Sequence, residues 1–178
     1  MTPDELKALV RTVPDFPRPG ILFRDITSLI ADARGLAAAI DLLSLRARAC
    51  GADAIAGIEA RGFIFGAAVA ARLGIGFLPV RKHGKLPVPT IGIDYALEYG
   101  TDRLEIDPAL VSPGTRILLL DDLLATGGTA RAATRLLRQA GARVDHALFV
   151  IGLPDLAGAA LLADDAVTSD CLIAFPGH

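Results

Sequence analysis

An aspartate pair, Asp121-Asp122, closes the apolar run Ile117-Leu-Leu-Leu120 and leads through two leucines into Ala125-Thr126-Gly127-Gly128-Thr129. A buried strand that ends in two carboxylates and then opens a helix through small residues has the parts of a phosphate cradle. Gly127 and Gly128 let the backbone approach a ligand, and the first amides of the helix present partial positive charge to it. No lysine follows the glycines, so this is not the nucleotide-binding loop in which a lysine reaches the outer phosphates. The neighbouring carboxylates suit sugar hydroxyls or a metal ion. The plainer alternative is a strand-end acid pair with Thr129 capping the helix, and Gly-Gly-Thr by itself favours it.

A second group of residues has the opposite charge. Arg61 follows the apolar run Ala54–Ile58, and Arg81, Lys82 and Lys85 follow Phe77-Leu-Pro-Val80. The chain has only three lysines, and two of them stand here. Charge-assisted hydrogen bonds to phosphate oxygens are about twice as strong as neutral ones. Arg-Lys-His-Gly-Lys alone reads as a solvated basic turn; with Arg61 at an adjacent strand end, a second anion subsite becomes the better reading. Glu98, flanked by Tyr95 and Tyr99 on a glycine-bounded loop, is a candidate proton acceptor, against the alternative of a solvated hairpin acid. His83, His146 and His178 are too scattered for a metal site or a triad. Cys50 and Cys171 match no metal spacing, and no Ser or Cys sits in a nucleophile elbow.

The elements that must position these groups follow from periodicity. Thr2 and Glu5 have capping-box spacing, Pro3 takes the first helical position, and Leu6, Leu9, Val10 and Val13 supply an apolar face, so a short helix is expected. The prolines of Pro14–Gly20 end it. A second helix is expected from about Arg34 to Cys50, stopped by Gly51. Strands at Ala54–Ile58, Phe77–Val80, Arg116–Leu120 and Ala147–Ile151 then alternate with helices at Gly62–Leu73 and Thr129–Ala140. Short apolar runs alternating with helices predict an α/β fold, a central mostly parallel sheet with helices on both faces. Ligands of such sheets bind beyond the carboxyl ends of the strands, where both charged groups stand. The segment 81–107, rich in glycine and proline, reads as a flexible loop and small hairpin projecting over the sheet edge.

The 178 residues suit one domain, 1–178. Apolar residues make up 52% and charged residues 21%, which excludes a disordered chain. The net charge of −2 argues against general binding of nucleic acid or membrane surfaces. Arg72 and the glycines after it interrupt the longest apolar stretch, and Met1–Lys7 has no leader-like pattern, so neither a membrane span nor a secretory signal is expected. The two thiols fit a reduced, cytoplasmic setting.

Asp121-Asp122 with Ala125–Thr129 resembles the ribose-phosphate loop of the type I phosphoribosyltransferases. Four further segments, Phe16–Thr27, Gly57–Gly66, Val80–Pro87 and Leu97–Gly100, narrow the resemblance to the adenine phosphoribosyltransferases, in that family's order and over nearly the whole chain. The resemblance implies transfer of the phosphoribosyl group of phosphoribosyl pyrophosphate to N9 of adenine in purine salvage, giving AMP and pyrophosphate. It assigns the sugar and its phosphate to Asp121, Asp122, Ala125, Thr126, Gly127, Gly128 and Thr129. Pyrophosphate falls to Arg61, Arg81, Lys82 and Lys85, with Arg61 counted as catalytic. Glu98 takes the proton role at the purine, beside Tyr99. Leu22, Phe23 and Arg24, within an adenine-pocket turn or hood at 21–33, would form the base pocket, with Phe23 stacking on the ring and the backbone of its neighbours reading its edge; core packing of Phe23 is the alternative. Asp25 and Thr27 support that turn.

The resemblance also implies a cis peptide at Glu59–Ala60 and a homodimer. Its metal is Mg²⁺ carried by the donor, with Asp121 and Asp122 reaching it at most through water. Val88 stands where the family commonly has glycine, which makes the loop stiffer. A non-enzymatic sensor of phosphoribosyl pyrophosphate and a transferase for another purine are the competing readings. The chain has no net basic charge for the first, and Phe23–Thr27 and Leu97–Gly100 speak against the second.

Overall fold

The computed structural model describes residues 1–96 and 100–177. The chain opens with α1 (Pro3–Leu9), a two-stranded antiparallel ribbon of β1 (Arg11–Pro14) and β2 (Leu22–Asp25), then α2 (Thr27–Ala31) and α3 (Ala33–Ala49). The expected capping box forms: Thr2 Oγ1 accepts from the Glu5 amide at 3.2 Å, and the Glu5 carboxylate accepts from the Thr2 amide at 2.7 Å. The helix stops at Leu9, so Val13 does not belong to its apolar face. Val10 is extended and Val13 pairs with Phe23 across the ribbon, a tertiary pairing that overrides the local periodicity.

Next come β3 (Ala54–Ile58), α4 (Arg61–Leu73), β4 (Gly76–Lys82), β5 (Ile91–Ala96), β6 (Thr101–Ile106), β7 (Ile117–Leu124), α5 (Gly128–Gln139), β8 (His146–Gly152), α6 (Gly158–Ala163) and β9 (Thr168–Ala174). One seven-stranded sheet takes the order β5-β6-β4-β3-β7-β8-β9. Pairings from β4 through β9 by way of β3, β7 and β8 are parallel, and β6 runs antiparallel to both β4 and β5.

Both faces of the central strands are covered, which is why their sequences run apolar without alternation. Leu118 and Leu120 of β7 pack with Leu43 of α3 and with Phe65 and Val69 of α4. Ile117 and Leu119 pack on the other face with Ala133, Leu136 and Leu137 of α5. Because α4 and α5 leave neighbouring strands for opposite faces, a crevice opens between the carboxyl ends of β3 and β7.

Three expectations change. The hairpin of 81–107 does not project separately over the edge: β6 pairs with Arg81 and Lys82 and extends the same sheet. Arg81 and Lys82 are therefore the last residues of β4, not part of a loop after it. The strand before the phosphate loop does not end at Asp121-Asp122, because its parallel pairing with β8 continues to Leu124 opposite Gly152. Among the described residues no helix is long and apolar enough to cross a membrane.

Candidate active site

The crevice is a cavity of about 380 Å³, lined by Ile58 to Arg61 after β3, Lys82 at the end of β4, and Asp121 to Ala130 from β7 into α5. It joins the two groups of opposite charge that the sequence singles out. The phosphate loop is shaped by Gly127, which adopts a left-handed φ of 84° at the N-cap of α5. No side chain caps that helix, so its first amides are left to face the cavity, and the alternative of Thr129 as N-cap does not hold.

Burial, and then the Asp122 carboxylate beside it, push Asp121 well above the ordinary Asp value of 3.8. Asp121 Oδ1 accepts from the Asp122 amide at 2.9 Å. Asp122 is buried and forms an ion pair with Arg61, whose own side chain is 52% exposed. Gly62 permits this crowding: a Cβ there would lie 2.7 Å from Asp121 Oδ1 and 3.0 Å from the Leu120 carbonyl oxygen. The Glu59–Ala60 peptide that precedes Arg61 is cis, as the resemblance implies.

Acids that sequence reasoning missed hold the other cations. Glu59 accepts from Arg81 Nε and from the Lys82 amide, each at 2.9 Å. The Arg81 hydrogen bond holds Glu59 below its usual range. Lys82 Nζ donates to Tyr95 Oη at 2.6 Å and pairs with Asp102, which stands opposite Tyr95 in the hairpin. Desolvation alone would lower the Lys82 ammonium, but the hydrogen bonds it donates to Asp102 and Tyr95 outweigh it and raise it. Tyr95 is thus a buried residue of β5 and a partner of Lys82, not a flank on a glycine-bounded loop. Glu105, also buried, accepts from the Gly84 amide at 3.0 Å and meets His83 Nδ1 at 2.5 Å, which anchors the start of the following loop. Of these acids only Glu105 falls in the alternating stretch Arg103-Leu-Glu-Ile of β6.

Arg81 and Lys85 do not line the cavity, and neither do Leu22, Phe23 and Arg24. The latter three lie on β2. Phe23 belongs to neither buried core; it is half-buried and meets the 52% exposed Phe16 edge-on, with ring centroids 5.1 Å apart. The Arg24 side chain turns away, donating to Thr12 Oγ1 at 2.7 Å and to the Pro176 carbonyl at 3.1 Å. Asp25 supports the turn as expected, accepting from the Thr27 amide at 2.9 Å and from Arg11 Nε at 3.2 Å. Glu98 and Tyr99 lie outside the described residues. Among the described residues no group of three or more His, Cys, Asp or Glu side chains could hold a metal ion.

The model of the phosphoribosyl transferase domain matches residues 25–172. Adenine phosphoribosyltransferase of Novosphingobium aromaticivorans is 68% identical over 178 residues, the whole of both chains. The enzyme of the same name from Erythrobacter litoralis is 66% identical over the same span. Among solved structures, adenine phosphoribosyltransferase from Thermoanaerobacter pseudethanolicus superposes with a TM-score of 0.93 at 46% identity, covering 98% of this chain and 100% of that one. The Saccharomyces cerevisiae enzyme, complexed with an imino-altritol bisphosphate and adenine, gives 0.89 at 36% identity over 96% of this chain and 97% of that one.

Proposed function

The chain belongs to the phosphoribosyltransferase family, in its adenine phosphoribosyltransferase branch, and from that premise we propose a division of labour among its residues. The reaction of purine salvage moves a phosphoribosyl group from phosphoribosyl pyrophosphate to N9 of adenine. The bond between the sugar and pyrophosphate breaks with its electron pair going to pyrophosphate, the new bond forms from N9, and the purine loses a proton.

The sugar phosphate sits in Ala125–Thr129 against the first amides of α5. Asp121 and Asp122 accept hydrogen bonds from the ribose hydroxyls. Arg61 and Lys82 take the pyrophosphate, with Arg81 and Lys85 beside them, and their contacts strengthen as charge passes to the leaving group. Adenine stacks on Phe23 while backbone groups of Leu22 and Arg24 read its edge. A carbonyl facing the purine's 6-amino group is satisfied by adenine and left unpaired by a 6-oxopurine, a mismatch of about 1–3 kcal/mol. Glu98, with Tyr99 next to it, receives the purine proton; Glu98→Gln is expected to lower turnover far more than donor affinity.

Mg²⁺ fits this donor set as a passenger of the donor. Glu59 is engaged by Arg81 and the Lys82 amide, which leaves Asp121 and Asp122, too few ligands for a dedicated site and enough to meet a hydrated cation. When bound it neutralises charge on the leaving pyrophosphate. A cytoplasmic homodimer completes the reading, supported by family membership and by the exposed apolar stripe Ile64, Ala67 and Ala71 on α4. Light scattering that gives a concentration-independent monomer would remove the dimer.

The observation that carries the reading is the single crevice in which Arg61 and Lys82 face Asp121–Thr129. Incubation with donor, Mg²⁺ and either adenine or hypoxanthine tests it. AMP and pyrophosphate from adenine alone are expected. Product from hypoxanthine would favour another purine, and no product from any base would favour a sensor.

A further inference from the structure

Behind the phosphate loop lies the turn into α6, and its first helical residue, Gly158, is buried against the loop's backbone. A Cβ on Gly158 would stand 2.2 Å from the carbonyl oxygen of Ala125, 3.0 Å from the amide nitrogen of Gly127 and 3.0 Å from Leu124 Cδ1. Reciprocally, a Cβ on Gly127 would stand 2.8 Å from the Gly158 carbonyl oxygen and 3.0 Å from its Cα. The two backbones touch with no side chain between them.

The turn that presents Gly158 is itself held from several sides. The Leu153 amide donates to the Leu124 carbonyl at 2.9 Å, tying the exit of β8 to the exit of β7. Asp155 accepts from the Gly177 amide at 2.6 Å, tying the turn to the end of the chain. The Leu161 amide donates to the Ala157 carbonyl at 3.1 Å and starts α6 there. Gly158 is therefore a fixed surface, and the loop rests on it.

We propose that Gly158 is a positioning residue for the sugar phosphate: its missing side chain sets how far Ala125–Gly128 recedes, and so where the loop amides aim. The proposal rests on the reading of that loop as the phosphate cradle. A methyl group at 158 would fall about 1 Å short of an ordinary carbon–oxygen contact. The two obstacles on the loop, Ala125 O and Gly127 N, are backbone atoms, so the loop must move forward into the space of the phosphate. Displacements of that size in a preorganised site carry large penalties, whereas the pyrophosphate cations on β4 and after β3 do not touch Gly158.

Calorimetric titration of the full chain with ribose 5-phosphate and, separately, with inorganic pyrophosphate tests this, alongside melting curves. Gly158→Ala is expected to weaken ribose 5-phosphate at least about tenfold while pyrophosphate stays within about twofold. Ribose 5-phosphate affinity within about twofold of the parent, or parallel weakening of both probes, would overturn the proposal. If Gly158→Ala does not fold, Asp155→Ala decides, since it frees the turn without filling the contact. There the expectation is about threefold weaker ribose 5-phosphate with unchanged pyrophosphate, and no change overturns the idea. Thr129→Val separates the two layers of inference. Weaker ribose 5-phosphate in Thr129→Val but not in the Gly158 variant sinks only the positioning role; no effect in either sinks the cradle.

Discussion

Replacing Asp121 by Asn should make the protein more stable and a worse enzyme. Asp121 is partly enclosed on β7 with the Asp122 carboxylate adjacent, and both influences raise it well above 3.8. The folded state thus disfavours its ionised form, and each unit of that shift costs about 1.4 kcal/mol at neutral pH. Asn keeps an oxygen to accept the Asp122 amide, now 2.9 Å from Asp121 Oδ1, and removes the charge. The substitution removes that penalty, so a higher Tm at pH 7 is expected. The sign follows from linkage. A raised folded-state pKa gives a penalty that is absent below 3.8, grows as pH rises above it and is complete once pH passes the shifted value. The advantage of Asp121→Asn should therefore disappear when both proteins are melted at acid pH. Loss of a charge-assisted contact to the ribose hydroxyls should cost about 1.5–3 kcal/mol, or roughly 10–150-fold in kcat/KM. An Asp121→Asn protein with unchanged Tm at pH 7 and unchanged kcat/KM would refute the reasoning at both ends.

Arg61→Met should lower kcat/KM about 10–150-fold and weaken pyrophosphate as a product inhibitor in parallel; product-inhibition kinetics check this, and a change below about twofold would deny Arg61 its role. Gly62→Ala forces a Cβ to within 2.7 Å of Asp121 Oδ1. The expected destabilisation of about 1–3 kcal/mol is readable by urea unfolding, with a fall in activity because the moved atom belongs to the site. Asp53 is held down to about 2 by the Arg116 guanidinium and then by its amide. Its lowered pKa stabilises the fold above the ordinary value of 3.8 and ceases to do so as pH falls towards 2. Asp53→Asn should accordingly lower Tm at pH 7, with the difference closing near pH 2 in a melting series.

Strands β3, β7 and β8 were legible because a strand covered on both faces must be apolar at every position, and little else in a chain this size looks like that. α3 was legible within a residue at each end from its apolar period and the Gly51 that follows its stop, whereas the Asp32 cap that sets its start carried no separate signal. The outer strand β9 was not. Thr168 and Asp170 face solvent at the sheet edge, so Thr-Ser-Asp-Cys carries no apolar signal, and its pairing with β8 is decided by the sheet and not by its own composition. Asp121-Asp122 misled in the opposite way. Charged residues read as a strand's end, yet backbone pairing with Phe149 and Ile151 continues because the carboxylates have a cavity to face. The site's cations and small loop residues were legible as types and spacings. Their acid partners Glu59 and Asp102 were not, because Glu59 meets Arg81 only where β4 lies beside β3, and Asp102 meets Lys82 only where β6 lies beside β4.

Those partners change what the cavity can bind. Arg61 pairs with Asp122, Arg81 with Glu59, and Lys82 with Asp102. Each cation is thereby oriented and partly neutralised, which lets three positive side chains stand close together without the cost of unpaired desolvated charge. A bare polyanion entering such a place meets carboxylates as well as cations, and Asp121 with Asp122 would repel it. A ligand that brings phosphates and a divalent cation together suits both halves. The phosphates draw Arg61 and Lys82 while the cation and the sugar hydroxyls engage Asp121 and Asp122. On the proposed reading, the acids that hold the cations in place are also what makes this cavity select a metal-carrying sugar pyrophosphate over a simple anion. Pyrophosphate titrated without Mg²⁺ should consequently bind much more weakly than with it.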